Sequence, residues 1–185
     1  DDTITRSDIK QWKEENVERV KPLTGFNSYV APEPRHEFQV DLFYYSFMQR
    51  EKLNLSKQKG RKYTAGIDHY GLLAVDSFTK FVHVEPIDRK KVSSWKKALK
   101  AIFKKMGTPK CIYADSDASL LATDMSAYLK KKGIELITTK RHASIAERTI
   151  RTIKAELDAK IEKNPKTWTD YLPGVLEEYN QRKVH

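Results

Sequence analysis

The chain has 185 residues, with 35 Lys+Arg against 25 Asp+Glu and a formal charge of +10. That suits one domain with a real core and a modest extension, and makes polyanions, nucleic acid first among them, the expected partners; a merely basic soluble protein is the plain alternative. A single cysteine, Cys111, excludes internal disulfides and fits a reducing compartment, while five scattered histidines give no zinc-finger spacing. No run approaches membrane-spanning length and no signal peptide is visible. The chain opens on Asp1, as expected of a piece excised from a longer protein.

Residues 7–20 place Ile9, Trp12, Val17 and Val20 on one side of a helix that Ser7 can cap and that Pro22 and Gly25 stop. Pro32 and Pro34 hold the next segment extended, so 1–36 reads as a lead-in arm and 37–185 as the main domain. Residues 37–46 form a β-rich run, apolar on both sides of Asp41. A carboxylate inside such a strand is costly unless its charge is compensated, and a metal ion does so. An Asp reaching solvent at a strand end is the alternative. Residues 47–63 are crowded with cations and read as a basic loop, equally suited to touching DNA or to lying in solvent.

Two strands follow, Gly71–Asp76 and Phe81–Pro86, antiparallel to the first through a Ser-Phe-Thr-Lys turn. Residues 91–106 make a basic amphipathic helix through Val92, Trp95, Leu99, Ile102 and Phe103. A short apolar strand then ends in Asp115, a helix near 120–132 closes at Gly133, and another strand covers 134–139. Alternating strands and helices argue for parallel pairing in this half.

From Ser144 the stripe Ala146, Ile150, Ile153, Leu157 and Ile161 marks a helix, with Ser144 as N-cap and Glu147 at the capping-box position. Glu147, Arg151 and Lys154 share a second face. That ridge is either a capping acid in a solvated salt-bridge row or a metal-binding carboxylate beside phosphate-binding cations. A final helix near 167–182 carries Trp168, Leu172, Val175, Leu176 and Tyr179.

The order predicts an α/β fold with a five-stranded mixed sheet, three antiparallel strands plus two parallel, flanked by helices. In it Asp41 and Asp115 can lie side by side while Glu147 arrives from the helix start. Magnesium takes oxygen ligands and keeps several waters, so one or two carboxylates per ion suffice. Two such ions about 3.5–4 Å apart can activate an attacking oxygen and stabilise a leaving one at phosphorus.

Phe38-Gln39-Val40-Asp41-Leu42, Tyr113-Ala114-Asp115 and the run from Ala143 through Glu147 to Lys154 resemble the D,D,E signature of the retroviral-type integrase core. Leu73–Val84 and Glu178–His185 are also similar, and the flavour is that of Maverick/Polinton transposon and virophage integrases. The resemblance spans about residues 30–185, with the five motifs in order. It implies an RNase H-like fold and a polynucleotidyl transferase using two Mg2+ or Mn2+ ions for 3′-end processing and strand transfer. It also implies element ends and target DNA as partners, self-association, and a place in a host nucleus, viral factory or virion.

By the same resemblance Asp41, Asp115 and Glu147 match the catalytic, metal-holding acids, and Lys154 and Arg151 match positions that contact DNA ends. Arg148, Lys140, Arg141 and His142 complete the expected DNA-contacting set, with a structural, hydrogen-bonding histidine as the plainer reading of His142. The chain departs from the pattern in the turn after the second acid, where Ser116-Asp117 makes Asp117 a rival ligand, and in Arg141-His142 before the helix. A nuclease that cuts without joining, or a domesticated DNA-binding protein without catalysis, are the alternative readings.

Overall fold

A computed structural model describes residues 31–45, 70–139, 143–164 and 167–182. The expected helix at 7–20, the basic loop at 47–63 and the cations Lys140 and Arg141 with His142 lie outside the described residues.

Five strands form one sheet in the order β3-β2-β1-β4-β5. They are β1 (Glu37–Tyr44), β2 (Tyr70–Asp76), β3 (Val82–Ile87), β4 (Cys111–Asp115) and β5 (Glu135–Thr139). β1 is antiparallel to β2 and β2 to β3, while β1–β4 and β4–β5 are parallel. The expected mixed sheet is therefore present, with the acid-bearing first strand at its centre. Two-residue alternation splits β1 between layers: Phe38 and Val40 join one core, Phe43 the other.

One face is covered by α1 (Val92–Met106), α2 (Ala118–Leu121) and α3 (Thr123–Lys131). Trp95, Leu99, Ile102 and Phe103 of α1 are buried there with Leu120, Met125 and Leu129. Lys104 and Lys105 close α1 at the negative end of its dipole. The single helix expected near 120–132 is two, because Ala122 takes an extended ψ of 138° and breaks the run. Gly133, at φ 69°, ends α3 with Ile134 N–H on the Leu129 carbonyl and its own N–H on that of Lys130.

The other face carries α4 (Ser144–Lys163) and α5 (Trp168–Arg182). The predicted α4 stripe is buried as expected. Trp168 of α5 meets Phe43 edge-on at 5.8 Å between ring centroids. Gly71 stands opposite Phe43, and a Cβ there would lie 2.3 Å from the Phe43 ring. At the sheet's β3 edge, Asn180 of α5 accepts from Val82 N–H at 2.8 Å and donates to its carbonyl at 2.9 Å. Among the described residues no helix is long and apolar enough to cross a membrane.

Candidate active site

The parallel pairing of β1 with β4 runs to Val40 opposite Ala114. Asp41 and Asp115 are the next residue of each strand, so they sit at corresponding positions where the pairing ends: β4 stops at Asp115, while β1 runs on to Tyr44 against β2. Both are half-buried, and both line a cleft of about 250 Å³ shared with Leu42, Lys90, Trp95 and Asp117. Outer ends of parallel strands are where α/β sheets commonly bind ligands.

Glu147 is delivered by the start of α4, and that start is fixed from the sheet. Gln39, two residues before Asp41, is 7% exposed. Its Oε1 accepts from Ile145 N–H at 3.0 Å and Ala146 N–H at 3.4 Å. Its Nε2 donates to Glu37 Oε1 at 3.4 Å, an oxygen that also accepts from Ser77 Oγ at 2.7 Å. A buried polar line therefore runs along one face of β1 and terminates the helix. Asp115 Oδ1 accepts from Ala143 N–H at 3.1 Å, and the Ala143 carbonyl accepts from Glu147 N–H at 3.0 Å. One residue thus bridges the second acid and the backbone of the third.

These contacts correct the local reading of the helix start. The N-cap position is Ala143, Ser144 is already helical, and no side chain of the chain's own turn caps it. Ser144 is therefore not in the capping position: the Gln39 amide oxygen from β1 takes the N–H groups of Ile145 and Ala146, the Asp115 carboxylate from β4 takes that of Ala143, and the Glu147 N–H goes to the Ala143 carbonyl. Asp117 has a structural task as well: its Oδ1 accepts from Ser119 N–H at 2.7 Å and caps α2. Among the described residues, no three Asp, Glu, His or Cys side chains are gathered into a group able to hold a metal ion.

Arg148 and Arg151 are exposed on α4. Lys154 lies back against the end of β1, its Nζ 3.4 Å from the Tyr44 carbonyl and 5.9 Å from the Tyr45 ring centroid. Next to it Tyr45 Oη donates to Asp158 Oδ1 at 2.6 Å. Burial, reinforced by this carboxylate, holds the Tyr45 phenol far above the ordinary tyrosine range. Burial also pushes the Cys111 thiol up, with Glu37 and Glu135 adding to the effect.

Sequence reasoning singled out the acids but gave no role to Gln39, Glu37 or Lys90. The available signal for Gln39 and Glu37 was two polar residues on one face of an otherwise apolar central strand. Lys90 stands in a run of cations and carries no such mark.

The sheet order, the strand directions and the helices on both faces are those of the retroviral integrase catalytic core, an RNase H-like fold. The chain is similar to the HTLV-2 integrase catalytic core domain solved in complex with magnesium in a dimeric form, at TM-score 0.62 and 20% identity over 79% of this chain and 86% of that one. A trimeric form of the same domain matches at the same TM-score and identity, over 79% and 85%. The simian T-cell lymphotropic virus intasome in complex with PP2A regulatory subunit B56 gamma matches at TM-score 0.64 and 19% identity, over 80% of this chain and 49% of that one. At such identities the likeness establishes the fold. No protein-family model and no curated protein sequence matches the chain.

Proposed function

We propose that this chain is the catalytic core of a DNA integrase, a polynucleotidyl transferase that processes the 3′ ends of an element and joins them to target DNA. The observation that carries the reading is the placement of Asp41 and Asp115 at corresponding positions of adjacent parallel strands, just past the last residue pair that joins the two, with Asp115 bonded to the residue that leads into Glu147. The donor set fits a hard divalent cation: three carboxylates, two of them side by side, where like charges call for a cation between them. Asp41, Asp115 and Glu147 would hold Mg2+ or Mn2+, in a pair of ions, which when bound supplies Lewis-acid activation of the attacking oxygen and stabilisation of the leaving one. Asp117, whose Oδ1 caps α2, stays the rival second ligand to Asp115, whose Oδ1 accepts from Ala143 N–H.

The residues themselves do the positioning. Gln39 and Asp115 fix the first turn of α4, and that turn sets where the Glu147 carboxylate can reach. Lys154, Arg151 and Arg148, with Lys140, Arg141 and His142 before the helix, supply phosphate contacts that set register without reading bases. The magnesium-bound cores and the intasome among the structural neighbours support metal use, DNA as partner and assembly from more than one copy. A Maverick/Polinton or virophage origin, with action in a host nucleus, viral factory or virion, rests on the motif resemblance of Leu73–Val84 and Glu178–His185.

Cleavage and joining of duplex oligonucleotides in Mg2+ or Mn2+ test the proposal. Asp41→Asn, Asp115→Asn and Glu147→Gln are each expected to lower product formation by at least a hundredfold while leaving the fold and DNA binding in place. Activity that survives Glu147→Gln removes the assigned role. The second reading, a DNA-binding protein without catalysis, is favoured by the lack of a gathered three-ligand group among the described residues. It predicts no product under any metal and DNA affinity indifferent to divalent ions. Cleavage products without joined products would identify a nuclease.

A further inference from the structure

Beside the acidic cleft the end of the β1–β2 hairpin presents an aromatic surface that the positioning of the acids does not require. Tyr44 and Tyr70 are opposite each other in the strand register. Their rings stand 5.1 Å apart between centroids at an interplanar angle of 49°. Tyr44 is 48% exposed, although the strand it ends is otherwise largely buried. By alternation it shares a sheet face with Leu42, which lines the cleft together with Asp41 and Asp115. Two residues along a strand span about 7 Å, which is the separation of Tyr44 from Leu42 along β1. Lys90 links the cleft to the aromatic pair: it lines the cleft, and its Nζ lies 5.5 Å from the centroid of the Tyr70 ring.

We propose that Tyr44, Tyr70 and Lys90 form a docking subsite for one unpaired deoxynucleotide of the DNA strand whose phosphate occupies the acidic cleft. The base stacks on the exposed Tyr44 ring, which Tyr70 backs from behind. The phosphate of that nucleotide meets Lys90, whose charge stands next to the carboxylates and offsets their repulsion for a polyanion. A base within intact duplex has both faces covered by its neighbours, so the subsite selects frayed, overhanging or flipped nucleotides. It does so without reading sequence, because every base presents a π-face. This deepens the reading of the cleft as a phosphoryl-transfer site and rests on it for the identity of the strand.

The test uses equilibrium binding of the chain, without divalent metal, to duplexes carrying 2-aminopurine. One duplex places it in a single-nucleotide overhang of either polarity, the other in a blunt end. The overhang of one polarity is expected to bind on the order of tenfold more tightly than the blunt duplex, with quenched fluorescence. Tyr44→Ala abolishes both the preference and the quench, and Tyr44→Phe keeps both. Lys90→Ala weakens overhang binding and lowers its salt slope by about one, while the quench persists at saturation. Equal affinity for overhang and blunt duplexes, or a preference that survives Tyr44→Ala, overturns the proposal. Because nothing reacts in this assay, its failure is separate from a failure of Asp41→Asn to stop joining.

Discussion

Gln39 gathers on one oxygen the two N–H groups that open α4, and its own amide is oriented by a buried carboxylate, Glu37, which is 4% exposed. Replacing it with Leu keeps the volume but strands those N–H groups and leaves Glu37 with one donor fewer. A loss of about 1–3 kcal/mol is expected, since a buried polar group left without a partner bears its desolvation penalty uncompensated. Urea denaturation measures it. If Gln39 also positions Glu147, joining activity in Gln39→Leu falls at temperatures where the variant is still fully folded, and Gln39→Glu, which preserves the acceptor, restores part of it. The places of Asp41, Asp115 and Glu147 in the fold were legible in the sequence because strand interior, strand end and helix start are local signals. Gln39 was not, because its partner is 106 residues away. The N-cap expected at Ser144 falls at Ala143 for a like reason: acceptors from two distant strands hold the N–H groups of Ala143, Ile145 and Ala146.

Between elements, the fit of β1 against α4 and α5 turns on small clearances. Gly71→Ala would drive a methyl group into the Phe43 ring and push it off Trp168. A thermal scan is expected to show a destabilisation of about 1–3 kcal/mol, the usual cost of overpacking a core. Tyr45 fastens the end of β1 to the middle of α4 through Asp158, and its raised phenol pKa makes that joint alkali-sensitive. The folded state keeps the phenol proton at pH values where an unfolded chain releases it, near the ordinary tyrosine pKa of about 10. The joint's contribution is therefore complete below that pH and declines as pH rises above it. Denaturation curves between about pH 9 and 11 are expected to fall more steeply for the parent than for Tyr45→Phe. Element type and order were readable from periodicity along most of the described chain. The break at Ala122 was not, because a one-residue change of ψ leaves no mark in a hydrophobic stripe.

For the molecule as a whole, the formal charge of +10 sets the scale of its attraction to any polyanion, and individual cations decide where that attraction acts. Lys154 is held at the end of β1 by one carbonyl and one ring face, beside the strand that supplies Asp41. As a phosphate contact, Lys154→Ala is expected to weaken duplex binding uniformly across sequences and to reduce the slope of log K against log salt by about one. Binding isotherms at several salt concentrations measure the slope, and an unchanged value places the lysine away from the backbone.

The two hydrogen bonds that Asn180 makes to Val82 have a bearing on assembly. An edge strand offers its outer row of peptide groups to any passing chain, and here the first rung of β3 is already filled by a carboxamide imitating a peptide. Copies of this protein that come together are thereby steered from continuous β-augmentation at that rung toward contact between side chains.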